Sequence, residues 1–195
     1  MTSQAINDLP DPTTVPTAGF VPRLGAALID MAILGPTSYG LYYFMKVQPS
    51  IYLIVLIWLV NVLYKPVLES VLGYTVGKGI LRLRVVDRGT NRNISFEQSL
   101  LRYLPWAVAQ FVTLFVYVRF FQSAQLAEVA DYMSFTRTLA TFPLNENFFI
   151  TTGNSFPVFS SVWLLTDPWN RALHDRWAQT FVIRQVVAGP DDAGR

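Results

Sequence analysis

An apolar stretch from Leu24 to Met45, about 22 residues and so long enough for a bilayer core of roughly 30 Å, opens on Arg23 and carries Asp30 inside it. Charge held in hydrocarbon is costly, which constrains what can surround it. Asp30 lies six residues beyond Leu24, about 9 Å into the membrane at the helical rise. Arg23 is on nearly the same helix face, roughly 10 Å away along the axis, and its side chain leans toward the N-terminus. Each charge therefore needs a partner from another part of the chain.

The remaining sequence supplies more membrane-length segments. Of 195 residues, 52% are hydrophobic and only 14% charged, with a mean hydropathy of +0.33. This is too apolar for an ordinary soluble domain and predicts an all-α membrane protein. Further spans are expected at 51–72, 103–121 and 148–166, making a four-helix transmembrane bundle with the first at 24–45. Gly35-Pro36 should bend the first span. Thr151, Thr152, Gly153, Asn154 and Pro157 should interrupt the fourth, which is tolerated only against protein or a watery cavity. The short link from Lys46 to Ser50 makes the first two spans an antiparallel hairpin.

Proline-rich residues 1–22 and residues 186–195 read as mobile tails around a membrane domain at 23–185. Residues 122–147 carry Leu126, Val129, Ala130 and Met133 at helical spacing, the pattern of an amphipathic helix on the outer surface. Orientation follows from the cations. Arg23, Lys65, most of the basic loop at 73–102, Arg171, Arg176 and Arg184 fall on one side. Only Lys46, Arg119 and Arg137 fall on the other. Both termini are therefore expected in the cytoplasm.

Leu81, Leu83 and Val85 alternate with Arg82 and Arg84, the period of a half-exposed strand. Residues 180–187 are a second β-branched stretch that could pair with it as a small cytoplasmic β-ribbon. That pairing would bring the His174-Asp175 turn to the Gly73–Lys78 turn.

Asn61, Lys65 and Glu69 recur every four residues and form a polar stripe on the second span. Depth in the hairpin sets Lys65 opposite Asp30 and Glu69 opposite Arg23. Two readings stay open. The charges are fixed ion pairs that lock the hairpin, or Asp30 is a proton or cation site with Lys65 or Arg23 as its competing counter-charge. Under the first, Asp30→Asn with Lys65→Met should recover stability that Asp30→Asn alone loses. Gly73-Tyr74-Thr75-Val76-Gly77-Lys78-Gly79 has three residues between its glycines and Gly after Lys, so it is a turn and not a phosphate-binding loop.

With no cysteine and one histidine, His174, disulfides, thiol chemistry and multi-histidine metal sites are excluded. No cofactor, metal or catalytic set is expected. The basic loop suits anionic lipid headgroups rather than nucleic acid.

Together these motifs resemble the RDD family of bacterial membrane proteins, named for one arginine and two aspartates. Arg23 and Asp30 match its first helix. Gly73, Thr75, Gly77 and Lys78 match a glycine turn that leads into Val85-Val86-Asp87. Arg171, His174 and Asp175 match a closing turn, with Thr180 and Val182 in the strand that follows. The resemblance implies a cytoplasmic-membrane protein for which transport is the usual suggestion, cation/proton exchange being one version. A thin four-span bundle would need a homo-oligomer or a partner membrane protein to enclose a path. The rival expectation is a non-transporting interaction or accessory subunit.

Overall fold

The computed structural model describes residues 16–143 and 148–185, the side chain of Val158 excepted. It is predominantly helical, with one small sheet at one end. Helix α1 (Phe20–Leu34), α2 (Pro36–Tyr42) and a π-helical turn (Tyr43–Val47) form one column of 28 residues. Pro36 has no N–H and interrupts the ladder. Gly35 nevertheless keeps right-handed helical dihedrals and donates to the Met31 carbonyl at 2.8 Å, so the helix resumes at once.

The column starts earlier than expected. Thr17 pairs with Ile183, and the Ala18 N–H donates to the Val182 carbonyl at 2.8 Å. The N-terminal segment is thus docked from residue 16 onward rather than loose up to Pro22. Residues 1–15 of the tail expected at 1–22, and the tail expected at 186–195, lie outside the described residues.

Helix α3 (Ile51–Val71) returns to the sheet end, where the short α4 (Val76–Ile80) and β1 (Leu83–Asp87) follow. Helix α5 (Phe96–Phe121) begins seven residues before the expected span. The cause is a capping box: the Gln98 N–H donates to Ser95 Oγ at 3.1 Å, and the Ser95 N–H to Gln98 Oε1 at 2.9 Å. Leu100, Leu104, Val108, Phe111 and Phe115 make an exposed apolar stripe along α5, while Ser99, Arg102, Ala109 and Thr113 are buried. That inversion suits a helix whose outer face meets lipid.

At the far end the chain forms α6 (Gln125–Glu128) and α7 (Tyr132–Ala140) in place of one amphipathic helix. Asp131 accepts from the Ser134 N–H at 2.7 Å and starts a new helix there. Leu126, Val129 and Phe135 bury against Leu41, Met45, Ile54 and Phe120, whereas Met133 is exposed. Residues 144–147 of the expected outer segment lie outside the described residues.

Helix α8 (Phe148–Val162) continues into a 3-10 turn (Trp163–Leu165). It is not broken at Gly153 or Pro157. Gly153 instead allows close packing on α5, where a Cβ would fall 2.3 Å from that of Ala109. Among the described residues, three helical segments are long and apolar enough to cross a membrane: 20–47, 51–71 and 96–121. The last two elements are α9 (Leu173–Trp177) and β2 (Thr180–Arg184). Strands β1 and β2 pair antiparallel, from Leu83 opposite Arg184 to Asp87 opposite Thr180, as the two β-branched stretches predict. Leu83, Val85 and Val182 pack with Ala18, Ala26 and Ile94, seating the ribbon beneath α1.

Candidate functional site

The sheet end of the bundle holds a buried polar cluster. Asp30, on α1, accepts three hydrogen bonds from neutral donors: the Tyr64 hydroxyl at 2.8 Å, the Thr75 hydroxyl at 2.7 Å and the Gly77 N–H at 2.8 Å. Thr75 is the N-cap of α4. Gly77 is required because α4 presses directly on α1: a Cβ would lie 2.1 Å from the Ala26 carbonyl oxygen. Gly73, at φ +83°, makes the turn that delivers α4 to this place. The carboxylate thus latches the glycine turn onto the first helix.

Beside this latch, Arg102 on α5 bridges two buried acids. Its Nη1 lies 2.7 Å from Asp175 Oδ1 and its Nε 3.2 Å from Glu69 Oε2. It also donates to Thr180 Oγ1 at 2.5 Å, which ties β2 into the cluster. Glu69 pairs in addition with Lys78, and Asp175 with Arg23. Arg23 donates further to the Asn170 and Ala18 carbonyls, at 2.6 and 2.9 Å. Asp175 caps its own helix by accepting from the Ala172 N–H at 3.0 Å. Burial opposes ionisation of Asp175, but Arg23 and then Arg102 outweigh it and hold the carboxyl well below the usual carboxylate range.

A cavity of about 140 Å³ opens against this network, walled by Arg23, Asp30, Lys65, Lys78 and Arg102, with Trp106 and the Phe156–Pro157 segment of α8. A second cavity, of about 380 Å³, lies toward the far end, lined by Thr37, Asn61, Gln110 and Thr136. Trp106 lines both.

A model of the RDD family matches residues 17–179. The chain belongs to the RDD family. No curated protein and no solved structure matches it. In this RDD protein the three motifs meet in one cluster: Arg23 pairs with Asp175, Asp30 holds the glycine turn, and Lys78 pairs with Glu69.

Two expected pairings are not formed. Asp30 does not pair with Lys65, because the α4 turn supplies two of its three donors, Thr75 and Gly77, and Tyr64 of α3 the third. Lys65 lies over the ring of Tyr103, 5.5 Å from its centroid, and shares the cavity with Asp30. Arg23 does not pair with Glu69; the two reach the cluster from opposite sides of Arg102. The double change Asp30→Asn with Lys65→Met should therefore recover little, and double-mutant thermal unfolding will show near-additive losses. A coupling comparable to the single-mutant loss would restore the direct pair.

Asn61 is further out, bonding to Thr37 and to the Ile57 carbonyl. Arg171 pairs with Asp167 at 2.9 Å, apart from the central network. Arg102 and Tyr64 escaped the sequence reading. Arg102 falls at the end of the basic loop 73–102 when read by composition, and Ser95-x-x-Gln98 is the signal that puts it inside a helix.

His174 Nδ1 is 2.8 Å from Ser160 Oγ, which joins α9 to α8. Burial lowers its pKa to about 4, against the pull of Asp175. A folded pKa below the unfolded value of 6.5 means that the unfolded chain binds the proton first. Stability from this group is complete above pH 6.5 and declines as pH falls toward 4. Thermal unfolding in detergent across this window should show that decline in wild type and a flatter profile in His174→Gln. An equal decline in both proteins would exclude His174.

Proposed function

We propose that this RDD protein is a small membrane transporter, or the transporting subunit of a larger assembly. The carrying observation is the pair of cavities toward opposite ends of the bundle that meet at Trp106. In this reading α8 with its 3-10 turn is the fourth span, and the bundle sits in a bacterial cytoplasmic membrane with both termini inside. The concentration of Lys and Arg at the sheet end supports that orientation. Trp106 is the barrier between the two half-paths. Self-association or a partner membrane protein completes the wall, and no catalysis is assigned to the site.

Asp30 lines the inner cavity and is the coupling carboxylate of this scheme. Protonation would turn one acceptor oxygen toward donors, loosening the hold on Thr75 and Gly77 and freeing α4 to move. The support is geometric: both carboxylate oxygens are engaged by α4. The same tight engagement favours the second reading, an accessory subunit in which the cluster only fixes the fold.

Flux separates the two. Proteoliposomes of the pure protein should pass solute faster than empty vesicles, Trp106→Ala should leak more, and Asp30→Asn should lose pH dependence. Wild-type flux equal to that of empty vesicles, unchanged by Trp106→Ala, would leave the accessory reading. For the topology, cysteines placed singly at Gln48 and Ser123 should label from outside intact cells, and one at Arg92 should not. Outside labelling at Arg92 would reverse the orientation.

A further inference from the structure

The inner cavity presents an imbalance of charge that its own acids do not remove. Four cations line it, Arg23, Lys65, Lys78 and Arg102, and one carboxylate, Asp30, whose two oxygens are already bonded. Glu69 and Asp175 pair with Lys78, Arg102 and Arg23 from behind the wall, two acids shared among three cations, while Asp30 adds a third negative charge without an ion pair of its own. Four cations against three carboxylates leave one positive charge. Geometry assigns it to Lys65, the one of the four with no carboxylate within ion-pair distance among the described residues; it rests on the Tyr103 ring and feels Glu69 and Lys78 only at longer range.

Lys65 is six residues from the end of α3 at Val71, about 9 Å into the span. A lysine this near a helix end can snorkel to the interface. This one instead lines the cavity and rests on Tyr103. A cation held in a membrane span facing a cavity, with no acid at ion-pair distance, is the kind of residue that marks a substrate or ion pathway. The cavity, at about 140 Å³, exceeds the roughly 10–15 Å³ that a single water needs, so it has room for a small solute.

We propose that the inner cavity binds a small oxyanion of one negative charge, of the phosphate class, with Lys65 as its principal contact and the Ser161 side of α8 closing over it. Two sources share this chemistry: a free anion such as monobasic phosphate, or the phosphodiester of an anionic lipid headgroup. The assignment deepens the transport reading by naming the class of solute that the inner cavity takes.

The test uses full-length protein, delipidated in a neutral detergent. Inorganic phosphate is titrated near pH 6 against chloride at equal ionic strength, with thermal unfolding and tryptophan fluorescence as readouts. Native mass spectrometry follows retention of phosphatidylglycerol against phosphatidylcholine. Phosphate-dependent stabilisation with a fluorescence change identifies a free anion, and selective retention of phosphatidylglycerol identifies a headgroup. Either ligand should lose affinity by about tenfold or more in Lys65→Met, the loss of one charge-assisted hydrogen bond, and much less in Lys65→Arg. Lys65→Gln replaces Lys65→Met if the latter does not fold.

Wild type that prefers neither phosphate nor phosphatidylglycerol, or variants that bind as wild type does, overturns the proposal. Binding without flux would leave this site standing and remove the transport reading. Flux without anion binding would do the reverse.

Discussion

Asp175→Asn should lower the stability of this protein by about 3–5 kcal/mol, the typical cost of removing one partner from a buried charge pair. Asp175 has no solvent exposure and stands between Arg23 and Arg102, whose side chains are 11% and 2% exposed. Asparagine keeps the shape and can still accept from Ala172, but it removes the charge that two guanidinium groups share. In that orientation the amide oxygen still accepts from Arg23, which also keeps the Ala18 and Asn170 carbonyls, but the amide NH2 then faces Arg102 Nη1, a donor against a donor. Arg102→Met should cost less, although Arg102 touches both acids. Without it Glu69 still has Lys78 and Asp175 still has Arg23, so no carboxylate loses its last cation. Thermal unfolding in detergent checks the order: Asp175→Asn should fall below Arg102→Met, and adding Arg23→Gln to Asp175→Asn should recover part of the loss. Asp175→Asn within about 1 kcal/mol of wild type would mean that the cluster is solvated like a surface pair.

Gly77→Ala should be comparably damaging, at about 3 kcal/mol or more, the upper end for overpacking a filled site. The added methyl would sit 2.1 Å from the Ala26 carbonyl oxygen and 2.9 Å from Asp30 Oδ1. Neither obstacle can rotate away, since one is helix backbone and the other is the latch. Helix α4 would have to lift off α1, taking the Gly77 N–H from Asp30. Gly79→Ala is the matched control in the same turn. Its methyl would meet the Tyr74 ring at 2.8 Å, a side chain that can shift, so the loss should be smaller. Membrane yield and thermal unfolding of the two variants decide the matter, and equal stability would show that α4 tolerates displacement. The pair also tests function, because a loosened α4 is the movement that the coupling scheme asks of Asp30.

Much of this arrangement was legible in the chain. The apolar segments led to four expected spans, of which three are long apolar helices among the described residues, and the alternation in 81–85 with the β-branched stretch after Gln179 led to the two-stranded ribbon that forms. The ribbon in turn required the His174-Asp175 and Gly73–Lys78 turns to be neighbours, which they are through Arg102, Glu69 and Asp175. Helix starts were read less well, and that had consequences. Missing the Ser95–Gln98 cap left Arg102 in a loop and hid the residue that joins both acids. Missing Asp131 as a cap turned two short helices into one.

Charge pairing was not legible, for a physical reason. Sequence spacing gives depth along a helix axis, because each residue advances the chain by a constant rise. It says nothing of which neighbour stands beside a side chain at that depth. Matching depths set Asp30 against Lys65 and Arg23 against Glu69, and both matches were defeated by elements arriving from the side. Helix α4, admitted by Gly77, took Asp30. The α9 turn, carried in by β2, took Arg23. The sequence by itself determined the membrane helices, the ribbon and the residues that had to gather at one end. Only the tertiary structure decided which acid met which base, because lateral position comes from packing between segments far apart in the chain.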